Sequence, residues 1–171
     1  MARPTLRKAT ITGIGHYVPE HILTNADLEK LVETNDEWIR TRTGISERRI
    51  EKDVDKAAAH MGTKAAEEAL ESAGIKASDV DAIMVATVTP DYMFPATSAL
   101  IQKSLGAERA FGFDVSAACS GFLYTLSTAS MMIESGRVDT ILVIGSDKMS
   151  AIVDYTDRNT CILFGDGAGA V

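Results

Sequence analysis

The chain has 171 residues, 46% of them hydrophobic and 6% aromatic, and a formal charge of −7 at neutral pH. That length and composition suit one domain with an aliphatic core and argue against disorder. The acidic balance argues against a general nucleic-acid binder, which needs a basic surface to displace counterions. No stretch approaches the roughly 18 consecutive apolar residues of a membrane span. Met1-Ala2-Arg3-Pro4 leads into a strand pattern without the apolar segment of a signal peptide, so a cytoplasmic protein with no membrane or nucleic-acid partner is expected. Cys119 and Cys161 form no metal-binding spacing and are expected to be free thiols.

In chain order, residues 9–15 read as a first strand, which Gly15 and Pro19 break into a turn. Thr24-Asn25-Ala26-Asp27 opens a short helix: the Thr24 hydroxyl can accept from backbone N–H groups, and Asp27 answers three residues on. A second start follows at Thr34-Asn35-Asp36-Glu37, with Gly44 as its stop. Across residues 54–73, Val54, Ala58, Met61, Ala65 and Ala69 recur at three- and four-residue steps as one buried helix face, and Gly74 fits its end. Residues 81–88 are nearly continuous apolar sequence, which predicts a strand covered on both faces and hence a parallel sheet with helices on each side. Pro90 and Pro95 bracket the loop that follows. A helix over 98–105, a strand over 110–115, a helix over 119–135 ended by Gly136 and a buried strand over 140–145 complete an alternation typical of an α/β fold with right-handed crossovers. Residues 161–164 then read as a strand, 165–169 as a glycine-rich turn and 170–171 as the start of another strand, an ending expected of part of a longer protein.

Cys119 sits where the apolar strand passes through Ser116-Ala117-Ala118 into a helix. Helix N-termini carry unpaired N–H groups and the positive end of the macrodipole, an environment that suits a thiolate nucleophile, and small neighbours leave room for an acyl group. The helix carries Phe122, Leu123, Leu126, Ala129, Met131, Met132 and Ile133 with no charge before Glu134, so it is expected to be surrounded by protein. The alternative for Cys119 is a small buried hydrophobe, the reading that also fits Cys161 in its apolar run. A thiol nucleophile ordinarily has a His partner, and none of His16, His21 and His60 is placed convincingly for that role. Arg40, Arg42, Arg48 and Arg49 outnumber Glu47 beside Trp38, a set that suits the phosphates and purine of a nucleotide-bearing molecule. Surface ion pairs around a core-anchoring Trp38 explain the same set, and Arg158 in its polar loop has the same two readings. Gly165-Asp166-Gly167-Ala168-Gly169 lacks the full spacing of a dinucleotide fingerprint and is better read as a tight turn with close backbone approach.

These blocks together make the chain resemble the β-ketoacyl-acyl carrier protein synthase III family of thiolase-fold condensing enzymes. The resemblance runs through Thr24-Asn25-Ala26-Asp27-Leu28-Glu29, Asn35-Asp36-Glu37-Trp38-Ile39, Thr41-Arg42-Thr43-Gly44-Ile45, Asp114-Val115-Ser116-Ala117-Ala118-Cys119-Ser120-Gly121-Phe122, Gly145-Ser146-Asp147 and Phe164-Gly165-Asp166-Gly167-Ala168-Gly169, in the family's order. It implies that residues 1–171 are the N-terminal half of a thiolase-like α/β fold: a mostly parallel, mixed five-stranded sheet with helices on both faces and Cys119 at the N-terminus of a buried helix. It implies that Cys119 takes the acyl group of acetyl-CoA or another short acyl-CoA, its N–H contributing to the oxyanion hole. Decarboxylative condensation with malonyl-acyl carrier protein then starts fatty acid synthesis. Trp38 and Arg158 would sandwich the CoA adenine, Thr34 would hydrogen-bond it, Arg42 would contact its phosphates, and Phe94 would reach the partner subunit's acyl pocket in a homodimer. Acyl-CoA would be a substrate, with no tightly bound cofactor and no metal. The family's catalytic His and Asn are expected in a C-terminal half outside this sequence, possessed by a separate, cleaved or continuous chain, so His16, His21, His60 and Asn159 are not assigned to those roles. The 171 residues alone are expected to be acylated at most. The other readings are a related polyketide, quinolone or hydroxymethylglutaryl-CoA type synthase, or a non-catalytic half-domain that binds CoA or a partner.

Overall fold

The computed structural model describes residues 7–171, so the lead-in at Met1-Ala2-Arg3-Pro4 lies outside the described residues. Strand β4 (Ala82–Ala86) is buried along its whole length, as its continuous apolar sequence requires. It is flanked in parallel by β5 (Phe111–Val115) and β6 (Ile141–Lys148). Beyond β6 lie β7 (Asp166–Ala170), antiparallel to it, and β1 (Gly15–Tyr17), antiparallel to β7. The order is β1-β7-β6-β4-β5, and β7 alone runs against the other four. Side chains alternate across β4. Ile83 and Val85 join a core with helices α3 (Ala58–Ala73) and α4 (Thr97–Leu105), while Met84 joins Val143 and Ala129 of helix α5 (Gly121–Glu134) on the opposite face. Helices thus cover both faces of the mixed five-stranded sheet. Among the described residues, no helix is long and apolar enough to cross a membrane.

The N-terminal caps form as the local chemistry dictates. Thr24 and Asp27 make both bonds of a capping box at helix α1 (Asn25–Leu28). The Asn35 side chain accepts from the Trp38 N–H at 2.8 Å at the start of α2 (Asp36–Thr43), and Gly44 ends that helix at φ 73°. An antiparallel two-stranded ribbon, β2 (Ile22–Thr24) with β3 (Glu47–Arg49), closes the base of the segment that holds both helices and was not expected from the sequence.

Four expectations are corrected. The first strand begins at Gly15 instead of residue 9: the register that pairs Gly15 with Ala170 leaves residues 9–13 opposite no residue of this chain. Gly15 itself is in the strand because α3 passes over it so closely that a Cβ would stand 2.1 Å from the Ala65 carbonyl oxygen. Helix α3 starts at Ala58, and Val54 is 85% exposed, because the Lys148 ammonium donates to the carbonyls of Asp53 and Lys56 at 2.7 and 2.9 Å and holds that segment as a loop. Residues 161–163 are turns and 164–165 irregular, with the Cys161 N–H donating to the Asp157 carbonyl at 3.0 Å, and most of the glycine-rich run is the strand β7. Close approach explains two of these glycines: a Cβ on Gly165 would stand 3.0 Å from the Arg49 carbonyl oxygen, and one on Gly167 3.3 Å from the Tyr17 carbonyl oxygen of the neighbouring strand.

Candidate active site

Strand β5 stops at Val115, and a three-residue 3-10 turn, Ala118–Ser120, precedes α5. Cys119 therefore stands just ahead of the α-helix instead of within its first turn. Ala118 turns the chain there with φ 47°, a left-handed conformation that costs a residue with a Cβ about 1–2 kcal/mol. The thiol is exposed, while that of Cys161 is buried, and both are free. Gly121 seats the helix start against the carboxyl end of β4: a Cβ on it would stand 3.2 Å from the Ala86 Cβ. Ligands of parallel sheets bind at such carboxyl ends. The sheet covers the flank of Gly121, Thr125 and Ala129, while Leu123, Tyr124 and Met131 on the other flank are exposed.

The loops at this end are pinned by carboxylates that accept from backbone N–H groups. Asp114 caps α4 through the Thr97 and Ser98 N–H groups at 2.7 and 2.8 Å. Asp147 Oδ1 receives the Thr87 and Thr89 hydroxyls and the Val88 and Thr89 N–H groups within 3.1 Å. Buried Asp166 accepts from the N–H groups of Glu51 and Ser150 and from the Ser150 hydroxyl. Sequence reasoning missed these three roles. Asp114 and Asp147 have the local signal of an aspartate near the end of a strand, and Asp166, the first residue of β7, has none.

The arginines near Trp38 disperse. Arg40 lies 3.7 Å from the Asp36 carboxylate, and Arg49 donates to the Pro19 carbonyl at 3.1 Å. Arg48 is buried, donating to the Asn25 side-chain oxygen and, through two nitrogens, to the Ile162 carbonyl; burial lowers its pKa. Only Arg42 of the four reaches Trp38, its guanidinium carbon 4.4 Å from the ring centroid, and Arg158 arrives from the distant loop at 4.6 Å. Beneath them lie Leu28, Ile39, Cys161 and Ile162, with Trp38, Val153 and Tyr155 packed against that cluster. Burial, and then Asp157, push the Cys161 thiol pKa up. Thr34 Oγ1, Arg158 Nε and the Tyr155 hydroxyl are buried without a hydrogen-bond partner among the described residues. Each such atom costs about 1–3 kcal/mol, so a ligand that supplies polar partners beside Trp38 fits the residues present.

The structure brings Trp38, Arg42 and Arg158 together, with Thr34 just ahead of the Asn35 cap; Cys119 and Phe94 stand on separate elements. His16 lies in β1 beside Glu68 at 3.0 Å, His60 meets the Tyr17 ring edge-on, and the Asn159 N–H donates to Asp157 within its own loop. Among the described residues, no group of three His, Cys, Asp or Glu side chains is arranged to hold a metal ion.

Residues 113–171 match the family model for 3-oxoacyl-[acyl-carrier-protein (ACP)] synthase III. The chain is 57% identical over 162 residues to β-ketoacyl-[acyl-carrier-protein] synthase III 1 of Bacillus cereus, covering 94% of this chain and 52% of that protein. The crystal structure of 3-oxoacyl-[acyl-carrier-protein] synthase III from Aquifex aeolicus VF5 matches with a TM-score of 0.92 at 53% identity, over 94% of this chain and 52% of that one. The priming β-ketosynthase from the R1128 polyketide biosynthetic pathway matches with a TM-score of 0.94 at 39% identity, over 99% of this chain and 51% of that one. The chain spans about half the length of the curated relatives it matches. Over that half, with its thiolase-like fold, it belongs to the β-ketoacyl-[acyl-carrier-protein] synthase III family.

Proposed function

We propose that this chain is the N-terminal half of a cytoplasmic, homodimeric β-ketoacyl-acyl carrier protein synthase III and supplies its nucleophile and acyl-CoA site. The observation that carries this reading is the exposed Cys119 thiol on a strained turn at the head of α5, beside the carboxyl ends of parallel strands. The Cys119 thiolate attacks the thioester carbonyl of acetyl-CoA or another short acyl-CoA. A bond forms between Sγ and the acyl carbon, the bond from that carbon to the CoA sulfur breaks, and the departing CoA thiolate takes up the proton that Cys119 released. The Cys119 N–H serves the oxyanion. Malonyl-acyl carrier protein then loses carbon dioxide, and the resulting carbanion attacks the acyl carbon. This expels the Cys119 thiolate and leaves a β-ketoacyl chain on the carrier. The His and Asn that promote decarboxylation belong to the other half of the protein. Trp38 and Arg158 hold the adenine once Arg158 moves off the ring it meets at 4.6 Å, Thr34 bonds it, Arg42 meets the phosphates and Phe94 enters the partner subunit's acyl pocket. The unpartnered Nε of Arg158, whose guanidinium lies over Trp38, supports this assignment.

Mixing the full-length protein with acetyl-CoA tests the reading by mass spectrometry: one acetyl group is expected on the peptide containing Cys119 and none on Cys119→Ala. An unmodified Cys119 peptide overturns it. Trp38→Ala is expected to raise KM for acetyl-CoA about tenfold with little change in kcat, as loss of uniform binding does. The polyketide priming relative favours a second reading, in which the condensing partner is a polyketide carrier. Turnover with malonyl groups on fatty-acid against polyketide carrier proteins separates the two.

A further inference from the structure

Between β4 and α4 the chain makes one excursion, residues 87–96, held at each end by a carboxylate already described: Asp147 at Thr87, Val88 and Thr89, and Asp114 at Thr97 and Ser98. A third anchor stands in the middle. The Asp91 carboxylate accepts from the Ala59 N–H at 2.8 Å, in the first turn of α3, where the N-cap residue Ala57 contributes no side-chain bond. Directly after Asp91 the loop holds Tyr92, Met93 and Phe94 in solvent, 61%, 99% and 89% exposed. Three large apolar side chains on a loop fixed at three points are pre-ordered for a surface of another molecule, since the entropy of ordering the loop is already spent.

We infer that Asp91 is the positioning residue of this loop: its bond to the Ala59 N–H sets where Phe94 stands in the acyl pocket of a second copy of the protein, and thereby the acyl length accepted there. The inference rests on the reading of Phe94 given above. Without the Asp91 bond the excursion is tethered only at its ends, and its tip can retreat. A pocket wall that retreats admits longer chains, and apolar pockets discriminate about tenfold or more per methylene.

The test uses the full-length protein and compares kcat and KM for acetyl-CoA and butyryl-CoA. Asp91→Ala is expected to raise the ratio of kcat/KM for butyryl-CoA over acetyl-CoA about fivefold, a fraction of the discrimination one methylene carries. Asp91→Asn keeps an oxygen that accepts from the Ala59 N–H and is expected to restore the original ratio. Asp91→Glu keeps the carboxylate on a longer stem and is expected to shift the ratio even if Asp91→Ala fails to fold. Ratios unchanged in both Asp91→Ala and Asp91→Glu, or equal losses for both substrates, overturn the role of Asp91 when Phe94→Ala does shift the ratio. An unchanged ratio in Phe94→Ala overturns the Phe94 reading itself.

Discussion

The two cysteines occupy opposite kinds of site. Cys161 is wholly buried on a turn, packed with Leu28, Ile39 and Ile162 above the ladder of bonds that Arg48 makes to Asn25 and the Ile162 carbonyl. Cys119 is exposed on a turn held by a left-handed Ala118. One region is over-determined by packing and hydrogen bonds, and the other carries strain in a non-glycine residue. Strain of this kind concentrates at functional sites because the surroundings must hold a group where chemistry needs it. In the sequence Cys119 follows small residues and Cys161 stands between a polar run and an apolar one, and the backbone sharpens that difference.

The comparison breaks first if the two thiols prove interchangeable. In the full-length protein, Cys119→Ala is expected to lower acyl transfer by about a thousandfold or more, as removal of a nucleophile does, with the urea midpoint unchanged. Cys161→Ala is expected to keep acyl transfer while lowering stability by about 1 kcal/mol, for the loss of one buried sulfur. Equal losses of acyl transfer would erase the distinction. Next in size, iodoacetamide at neutral pH is expected to modify Cys119 about a hundredfold faster than Cys161, which reacts only when local unfolding exposes it. Peptide mapping over time reads both rates in one sample.

Replacing Arg48 by Met probes the buried region itself. The change leaves the Asn25 side-chain oxygen and the Ile162 carbonyl without their donor, so a loss of about 2 kcal/mol is expected by urea denaturation. The sulfur adds a pH signature. Its pKa is raised in the folded state, so its stabilising contribution is complete below the unfolded thiol's value, near 9, and is lost as pH rises through the higher folded value. The wild-type protein is therefore expected to lose stability on moving from pH 8 to 10 more steeply than Cys161→Ala, and parallel curves would contradict this.

Local chemistry made much of the frame legible. The Thr24 and Asp27 box, the Asn35 cap, the Gly44 and Gly74 stops and the doubly covered β4 each follow from a few adjacent residues. What escaped depends on distant partners. Residues 9–14 look like a strand but the register with β7 begins at Gly15; β7 looks like a turn because it is rich in glycine, and Gly167 answers the backbone of the neighbouring strand. The three-residue strands β2 and β3 are too short to show alternation. At the site, the thiol and the arginine excess beside Trp38 were visible, but the local grouping was wrong. Arg48 and Arg49 turn away, and Arg158 comes in from a loop that only the family resemblance connected to Trp38. The bonds of Asp91, Asp114, Asp147 and Asp166 join residues remote in sequence, and an aspartate carries no mark of which N–H it will meet.

The smallest expected effect sharpens the comparison most. Ala118→Gly removes the Cβ that makes φ 47° costly, which returns about 1–2 kcal/mol. Glycine also gives the unfolded chain more freedom, which takes back about 0.5–1 kcal/mol. The net is a gain of about 0.5 kcal/mol, readable as a small rise in the urea midpoint. If strain at Ala118 fixes the thiol, the same variant acylates more slowly, because the freed turn samples geometries in which Sγ does not face the thioester. A stability gain together with slower acylation ties the strain to the chemistry. A gain with acylation unchanged would show instead that the turn tolerates Ala118 without using it, leaving exposure and place in the fold to distinguish the two sulfurs.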